Sequence, residues 1–336
     1  MHCSTTSEST NTEAVNPPSG VSVSVVIPAK NEEAYIGKCL EALAALDFPS
    51  TRMEVVVVDN DSTDATLRVA RSFTDRLQLT ILSRPGGTIS ALRNVGARAA
   101  RGRVLAFLDA DCFPNADWLS SAVGLMQKNE DMVVGADLLI PADSTWVART
   151  WYESKPIREF ERVPWVPSGD MLMSRAVFDA VGGFNESIET NEDCELCLRV
   201  RMAGFSVYAA SSIAVVHART PQTITELFHK EVWHGTHVFR VFRQNVGKLQ
   251  NIKLVAFAAY NVLAMAGVLV GTALAIARQN FDVLTISVLT LLLAPLVISL
   301  RRAISRKKPA SAVQLFLLVL VYGFARAFSL LNPKNW

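Results

Sequence analysis

The sequence predicts an α/β domain with a mostly parallel, Rossmann-like sheet, followed by an α-helical transmembrane region. Short runs rich in valine and isoleucine alternate with helical patterns in the first part of the chain, which is typical of parallel strands joined by helices. Of the 336 residues, 50% are hydrophobic, and the mean hydropathy of +0.25 is too high for an ordinary soluble enzyme. The apolar excess is concentrated after residue 253.

Three apolar runs predict parallel strands that deliver polar residues to one edge of the sheet. The runs are residues 23–27, 54–58 and 104–108, and the helical patterns around them are residues 33–46, 64–73 and 88–100. Each run ends in polar residues, including Glu32, Asp59 and Asp109. Because ligands of such sheets bind beyond the carboxyl ends of the strands, a nucleotide is expected there.

Asp109 and Asp111 stand one residue apart, and two carboxylates at the end of a buried strand are costly unless a cation joins them. No Gly-x-Gly-x-x-Gly pattern follows a strand and no Gly-Lys-Ser/Thr loop exists, so neither dinucleotide binding nor a phosphate-loop ATPase is supported. A metal would then hold the phosphates, and carboxylates without a His/Cys cluster suit Mg²⁺ or Mn²⁺. The alternative is a solvated turn.

Six motifs resemble those of a known family, the inverting family 2 glycosyltransferases, which have the GT-A nucleotide-sugar fold. The resemblance covers about residues 21–217, and the motifs occur in the family's order. They occupy residues 25–32, 57–66, 91–96, 107–111, 181–186 and 191–199. A GT-A catalytic domain is therefore expected over residues 21–220.

The resemblance also implies the donor and the roles of individual residues. The donor would be a nucleoside diphosphate sugar, with a UDP-sugar favoured. Pro28, Ala29, Glu32 and Asp59 would contact base and ribose, Arg93 would lie near the nucleotide, Asp109 and Asp111 would hold ribose and metal, and Asp193 would be the catalytic base. Arg93 could instead be a surface residue of its helix.

The chemistry of glycosyl transfer requires the same parts. Displacing a nucleoside diphosphate from the anomeric carbon needs a Lewis acid on the phosphates and a base for the proton of the attacking hydroxyl. Asp111 with its metal would meet the first need and Asp193 the second, with inversion of configuration. Glu192 would raise the proton affinity of Asp193 by like-charge repulsion or cap the helix starting near Asn191. The alternative is that both acids have no catalytic role and stand in the first turn of a helix because the helix dipole favours negative charge there.

Three further positions belong to the predicted site. Gly169 and Asp170 resemble the place where family members meet the acceptor, although a plain turn has the same pattern. His217 ends an apolar run and would face the diphosphate or the metal, or act as an ordinary hydrogen-bonding group.

The chain departs from the family's usual pattern at two positions. Cys112 stands where an acid often follows the Asp-x-Asp pair, and Glu195 stands where Asp often follows the base by two places. The Gln-x-x-Arg-Trp motif of processive polymer synthases is missing, and residues 230–233 are the segment most similar to it. Transfer of a single sugar is favoured over chain building.

Composition argues against two other kinds of site. The five cysteines are an odd number without disulfide spacing, which fits a reducing, cytosolic environment. Cys194 and Cys197 are expected to pack in a core and not to form a zinc or redox site, since no second cysteine pair or nearby His accompanies them. A net charge of +2 and the lack of a basic stripe with aromatic residues argue against a nucleic-acid partner.

Three C-terminal stretches predict transmembrane helices at residues 254–277, 283–300 and 312–331, of which only the last contains a charge, Arg326. Buried core helices are the alternative. Arg301, Arg302, Arg306, Lys307 and Lys308 crowd the loop between the second and third stretches. The positive-inside rule then places this loop and the catalytic domain in the cytoplasm of a bacterial-type inner or plasma membrane, with the C-terminus outside.

Two segments remain. Residues 1–20 are rich in Ser, Thr and Asn and predict a disordered tail. Residues 221–253 contain an amphipathic pattern that suits either an interfacial helix on the headgroups or a helix lining the active site.

A membrane anchor on a sugar transferase favours a lipid or lipid-linked saccharide as acceptor. The function predicted is thus metal-dependent, inverting transfer of one sugar to a membrane-embedded acceptor. The alternative is a catalytically silent nucleotide-sugar sensor or an assembly subunit of a membrane glycan-synthesis complex.

Overall fold

The computed structural model describes residues 22–127, 130–152, 158–235, 249–279, 281–305 and 309–331. It contains a mixed α/β domain followed by three long apolar helices, which confirms the predicted fold class. The predicted tail at residues 1–20, and residues 236–248 of the predicted interfacial region, lie outside the described residues.

The domain is built on an eight-stranded sheet with the order β3-β2-β1-β4-β8-β6-β9-β7. β8 is antiparallel to both β4 and β6, and β7 is antiparallel to β9, whereas the other neighbours are parallel. β5 and β10 pair separately as a small antiparallel ribbon. The strands are β1 Val23–Ala29, β2 Met53–Asp59, β3 Leu79–Ser83, β4 Val104–Leu108, β5 Cys112–Phe113, β6 Met132–Gly135, β7 Glu161–Arg162, β8 Asp170–Ser174, β9 Ser206–Ala209 and β10 Val216–His217.

Helices cover both faces of the sheet, and three further helices follow the domain in the chain. The first predicted helical pattern begins three residues late, because the backbone N–H groups of Tyr35 and Ile36 both bond to the Glu32 carbonyl in a turn. The helices are α1 Ile36–Ala44, α2 Thr66–Arg71, α3 Ile89–Ala99, α4 Trp118–Met126, α5 Trp146–Tyr152, α6 Arg175–Ala180, α7 Glu192–Met202, α8 Ile224–Gly235, α9 Leu249–Arg278, α10 Asp282–Ser305 and α11 Ala312–Leu330.

Burial on both faces explains why β1 and β2 are continuous apolar runs. Every residue of both strands is buried, as expected for parallel strands covered by helices on both sides. α3 approaches β1 closely at Gly96, where a β-carbon would collide with Val26. This close packing fixes the position of α3, whose polar residues contribute to the site.

β1, β2, β4, β6 and β9 run in the same direction, so their carboxyl ends form one edge of the sheet, here called the carboxyl edge. The loops that follow β1 and β2 are interlocked at this edge. The N–H of Glu32 donates to Thr66 Oγ1 at 2.7 Å, and the N–H of Ala65 donates to Glu33 Oε2 at 2.9 Å. Such cross-loop bonds give the edge a defined shape.

Three helices, Val255–Arg278, Asp282–Ser305 and Ala312–Leu330, are long and apolar enough to cross a membrane. The first two are not core helices of the domain, since Leu269 is 74% exposed and Ile286 is 64% exposed. α11 differs because it packs on α5 and α8 through a buried apolar cluster. The cluster contains Val147, Trp151, Leu227, Leu315, Leu318 and Val319.

The single charge of α11 is paired. Arg326 Nη2 lies 2.8 Å from Glu231 Oε2 of α8, and both side chains are nearly buried. The Arg326 guanidinium also lies over the Tyr322 ring, 4.9 Å from its centroid. An ion pair thus joins the apolar helices to the domain, since α8 follows β10 directly in the chain.

Replacing Glu231 with glutamine is expected to lower the stability of the detergent-purified protein by about 3 kcal/mol, because it leaves a buried guanidinium without its carboxylate. Thermal unfolding measures the effect as a lower midpoint temperature, Tm. The double variant Glu231→Gln with Arg326→Met leaves no unpaired charge and should recover most of the loss. An unchanged Tm in the single variant would contradict this account of the pair.

Candidate functional site

The ends of β1 and β2 form one half of the candidate site. Ala29 and Asp59 are direct neighbours in the parallel ladder, and Pro28 precedes them. Asp59 is 2% exposed, and its Oδ2 accepts a hydrogen bond from the Ser62 N–H at 3.1 Å. Its Oδ1 has no hydrogen-bond partner among the described residues. A buried carboxylate oxygen left free is costly, so this atom suits an N–H donor of a bound base.

Arg93 lies at the centre of the site. Its side chain is 1% exposed, so the alternative of a surface position is wrong. Its guanidinium donates to Asp109 Oδ1 at 2.6 Å and to Glu192 Oε1 at 2.8 Å. Glu192 Oε1 also accepts from Ser168 Oγ at 2.8 Å. These bonds tie α3, the end of β4 and the start of α7 together, so Glu192 is occupied by this cluster.

The proposed base Asp193 is the next residue along α7. Its Oδ1 accepts the backbone N–H of Cys194 at 2.7 Å. Burial raises the pKa of the Asp193 carboxyl to about 7, and the negative charge of Glu192 acts in the same direction. A carboxyl with a pKa near neutrality is suited to accept and release protons under physiological conditions.

The departure at Glu195 has a structural explanation. Glu195 forms an ion pair with Arg199 one turn further along α7, at 2.6 Å. Arg199 in turn donates to the Val181 carbonyl. Glu195 therefore connects α7 to the segment after α6, and its carboxylate is engaged away from the Arg93 cluster.

Asp111 and His217 meet where β5 and β10 pair. His217 Nε2 lies 3.3 Å from Asp111 Oδ2, and both residues are buried. One ligand atom each of Asp111, Cys112 and His217 lies within 4.8 Å of the others. A carboxylate and an imidazole are a suitable donor set for a divalent metal such as Mn²⁺, so the residues fit the expected ion.

Asp109 is not part of this cluster among the described residues. Its Oδ1 is engaged by Arg93, and its Oδ2 faces Gly169, where a β-carbon would come within 2.7 Å. Glycine at position 169 therefore leaves room for the carboxylate. A metal-binding role for Asp109 stays a prediction.

Arg219 was not identified from the sequence, and the only signal was its place two residues after His217. Arg219 Nη2 lies 2.7 Å from Glu32 Oε2, and its Nε lies 4.0 Å from Asp111 Oδ2. Its guanidinium also stacks over the Tyr35 ring at 5.2 Å. Burial raises the pKa of Glu32 to about 7, although Arg219 counteracts the rise. Arg219 thus supplies positive charge beside the candidate metal ligands.

Asp170 and Gly169 occupy different surroundings. Asp170 is completely buried at the start of β8, and its Oδ1 accepts from the Trp118 indole N–H at 2.9 Å. Burial raises the pKa of its carboxyl to about 8. The Asp170 carboxyl is therefore enclosed in the domain, and Gly169 is the member of the pair next to a site carboxylate.

α8 contacts the site as well as the apolar helices. Asn191, which precedes α7 in a left-handed conformation, donates to the His234 carbonyl at 3.2 Å. Lys230 Nζ donates to the Arg219 carbonyl at 3.2 Å. α8 thus contacts the residues that precede Asp193 and follow His217, and its role as an interfacial helix or as a helix lining the active site stays a prediction.

Comparison with known proteins identifies relatives of the chain. Residues 24–182 match the family described as Glycosyl transferase family 2. The glycosyltransferase AglE of Haloferax volcanii is 30% identical over 251 residues, covering 73% of this chain and 78% of that protein. The beta-monoglucosyldiacylglycerol synthase of Synechocystis is 30% identical over 199 residues, covering 55% of this chain but 41% of that protein.

Solved structures show the same fold. The mannosyltransferase PcManGT of Pyrobaculum calidifontis, in complex with GDP-Man and Mn²⁺, has a TM-score of 0.55 at 22% identity, with 82% of this chain and 86% of that chain covered. Residues 1–349 of TarS from Staphylococcus aureus, in complex with UDP-GlcNAc, have a TM-score of 0.51 at 21% identity, with coverages of 90% and 91%. These neighbours thus include one complex with a GDP-sugar and one with a UDP-sugar.

Proposed function

Because the chain belongs to glycosyltransferase family 2, we propose that it transfers one sugar, with inversion and with the help of a divalent metal, from a nucleoside diphosphate to a lipid or lipid-linked saccharide in the membrane. One observation carries the proposal. Burial raises the pKa of the Asp193 carboxyl to about 7. Asp193 directly follows Glu192, which bonds to Arg93 in the cluster that joins α3, the end of β4 and the start of α7 at the carboxyl edge.

The residues of the chain have distinct roles in this reaction. Asp59 would accept an N–H of the base, and Pro28 and Ala29 would bound the base and ribose. Arg93 would hold Asp109 and Glu192 in place beside the nucleotide. Asp193 would take the proton from the acceptor hydroxyl as it attacks the anomeric carbon opposite the leaving diphosphate. Inversion follows from this single displacement.

Asp111 and His217 would hold the metal, and the imidazole nitrogen favours Mn²⁺ over Mg²⁺, which prefers oxygen ligands. The ion would supply Lewis-acid stabilisation of the leaving diphosphate. Arg219 would exchange its bond with Glu32 for bonds to the phosphates, because a guanidinium pairs readily with phosphate oxygens. UDP is proposed as the nucleotide from the family's motifs.

A membrane location supports the lipid acceptor. Three helices have the length and composition of membrane spans, and the basic residues at positions 301–308 of the sequence argue for a cytoplasmic catalytic domain. The contacts of α11 with α5 and α8, including the ion pair between Glu231 and Arg326, would hold the catalytic domain against the apolar helices. A relative, the beta-monoglucosyldiacylglycerol synthase, is named for a glycolipid product.

Nucleotide release by the detergent-purified, full-length protein tests the proposal. UDP-glucose, UDP-galactose, UDP-N-acetylglucosamine and GDP-mannose are each supplied with Mn²⁺, Mg²⁺ or EDTA, with and without bacterial lipid extract. We expect one UDP-sugar to be consumed with Mn²⁺ and lipid, and EDTA to abolish the release.

Asp111→Asn is expected to lose about 100-fold or more of this activity, since it removes a charged metal ligand. Asp117→Asn, an exposed neighbour, is the matched control and should retain full activity. Release that persists in EDTA and in Asp111→Asn would refute the metal dependence. Binding of a donor without release under any condition would refute the transferase proposal.

A further inference from the structure

A cleft opens at the carboxyl edge beside the candidate active site. It lies where β6 and β9 end, and its lining includes Asp137, Arg158, Trp165, Pro167 and Ala209. Because β6 and β9 run parallel to β1, β2 and β4, this cleft faces the same side of the domain as Asp59 and Asp109. None of the residues assigned to the donor lines it.

The cleft is connected to the site by the chain itself. Trp165, Val166 and Pro167 lead directly into Ser168, whose hydroxyl bonds to Glu192 at 2.8 Å, and Gly169, which lies against Asp109. Three residues of extended chain cover at most about 10 Å. A ligand in the cleft would therefore lie close to the segment that carries Ser168 and Gly169.

The lining combines a flat apolar surface with a planar charged pair. Trp165 is 42% exposed, so part of its indole is open to a ligand. Arg158 Nη1 and Asp137 Oδ2 form an ion pair at 3.1 Å, and both side chains remain partly exposed, at 29% and 34%. The pair offers N–H donors and carboxylate acceptors, while the indole offers a face for C–H groups.

These features discriminate between possible ligands. A bare lipid phosphate would need a free cation, but Arg158 is already paired with Asp137, whose charge repels phosphate. An alkyl chain would leave the ion pair desolvated without compensation. A sugar ring satisfies both parts, because its hydroxyls donate to the carboxylate and accept from the guanidinium while its C–H face stacks on the indole.

We propose that this cleft binds a sugar ring of the acceptor, so that the acceptor is a lipid-linked saccharide and not a bare lipid phosphate. The inference rests on the proposed glycosyltransferase function and adds the acceptor class to it. Trp165 would be the stacking platform, and Asp137 with Arg158 would bind the ring hydroxyls.

The test supplies the full-length protein with its donor and two synthetic probes that share one short prenyl chain. One probe carries phosphate alone, and the other carries diphosphate-linked N-acetylglucosamine or glucose. We expect transfer to a saccharide probe and little to the phosphate probe. Trp165→Ala is expected to raise the KM for the saccharide probe about tenfold, whereas Trp165→Phe keeps an aromatic face and should stay within about threefold.

Trp146→Ala, which removes an equally exposed tryptophan from α5, is the control and should leave transfer unchanged. The Tm of each variant separates a loss of binding from a loss of folding. Equal use of the phosphate probe, or a saccharide KM that is unchanged in a folded Trp165→Ala, would overturn the cleft assignment and leave the transferase function intact. Failure of every probe together with failure to release nucleotide would instead refute the proposed function itself.

Discussion

Replacement of Asp193 by asparagine is expected to lower kcat for sugar transfer by about 1,000-fold while leaving the donor KM nearly unchanged. An amide cannot take the proton of the attacking hydroxyl, and general-base catalysis typically contributes about 100- to 10,000-fold. The proposed donor contacts belong to other residues, including Asp59, so binding of the nucleotide sugar should persist. Steady-state kinetics of the purified protein with its donor and lipid acceptor measure both constants.

The pH dependence of the wild-type protein follows from the raised pKa of Asp193. Only the ionised carboxylate acts as a base, so kcat/KM should rise with pH up to about 7 and level off above it. Glu32 has a carboxyl with a similarly raised pKa, so its contribution must be separated. The Glu32→Gln variant should keep the rise of kcat/KM with pH, whereas the residual activity of Asp193→Asn should not show this rise.

Asp179→Asn is the matched control, since Asp179 is exposed on α6 and the same chemical change there should leave kcat unaltered. Full activity of a correctly folded Asp193→Asn protein would assign the base to another residue. A loss of donor binding in that variant would instead indicate that Asp193 contacts the donor in the ground state.

The second large effect is expected for Arg93→Leu. Removing this guanidinium leaves the Asp109 and Glu192 carboxylates facing each other without a cation. Breaking a buried ion pair by deleting one partner typically costs about 3 to 5 kcal/mol. The variant should therefore show a markedly lower Tm in thermal unfolding and, at temperatures where it remains folded, a weaker affinity for the nucleotide sugar.

Arg98→Leu on the same helix provides the comparison. Its side chain is 65% exposed and lies 3.9 Å from Glu186, so solvent screens the interaction and little stability is lost. Similar Tm values for the two variants would show that the Arg93 cluster does not stabilise the fold. Arg93→Lys is expected to be intermediate, because one ammonium cannot reproduce two directed bonds.

Local sequence patterns were sufficient for the elements that carry the site. The run 104–108 predicted β4, which spans Val104–Leu108, and the pattern 88–100 predicted α3, which spans Ile89–Ala99. The strand prediction succeeded because burial on both faces of a parallel sheet requires continuous apolar runs. The order of motifs along the chain predicted the family, which the comparisons confirm.

Partnerships between distant residues could not be predicted in this way. Arg93 could be read as a surface residue until the fold brought in Asp109 and Glu192, the latter 99 positions away. Arg219 carried no motif, yet it pairs with Glu32 across 187 positions. The charge of Arg326 looked unpaired within an apolar stretch, but α8 provides Glu231. The periodicity of a helix identifies its apolar face but does not predict which other element of the fold packs against that face.

The sequence by itself determined the α/β class, the carboxyl edge with its acidic residues and the apolar C-terminal helices, because each depends on neighbours within a few residues. Only the tertiary structure decided which carboxylates are paired and which stay available. Glu192 is engaged by Arg93 and Ser168, whereas burial raises the pKa of the adjacent Asp193 carboxyl. Desolvation and charge pairing depend on distances in space, which residues far apart in the chain establish only on folding.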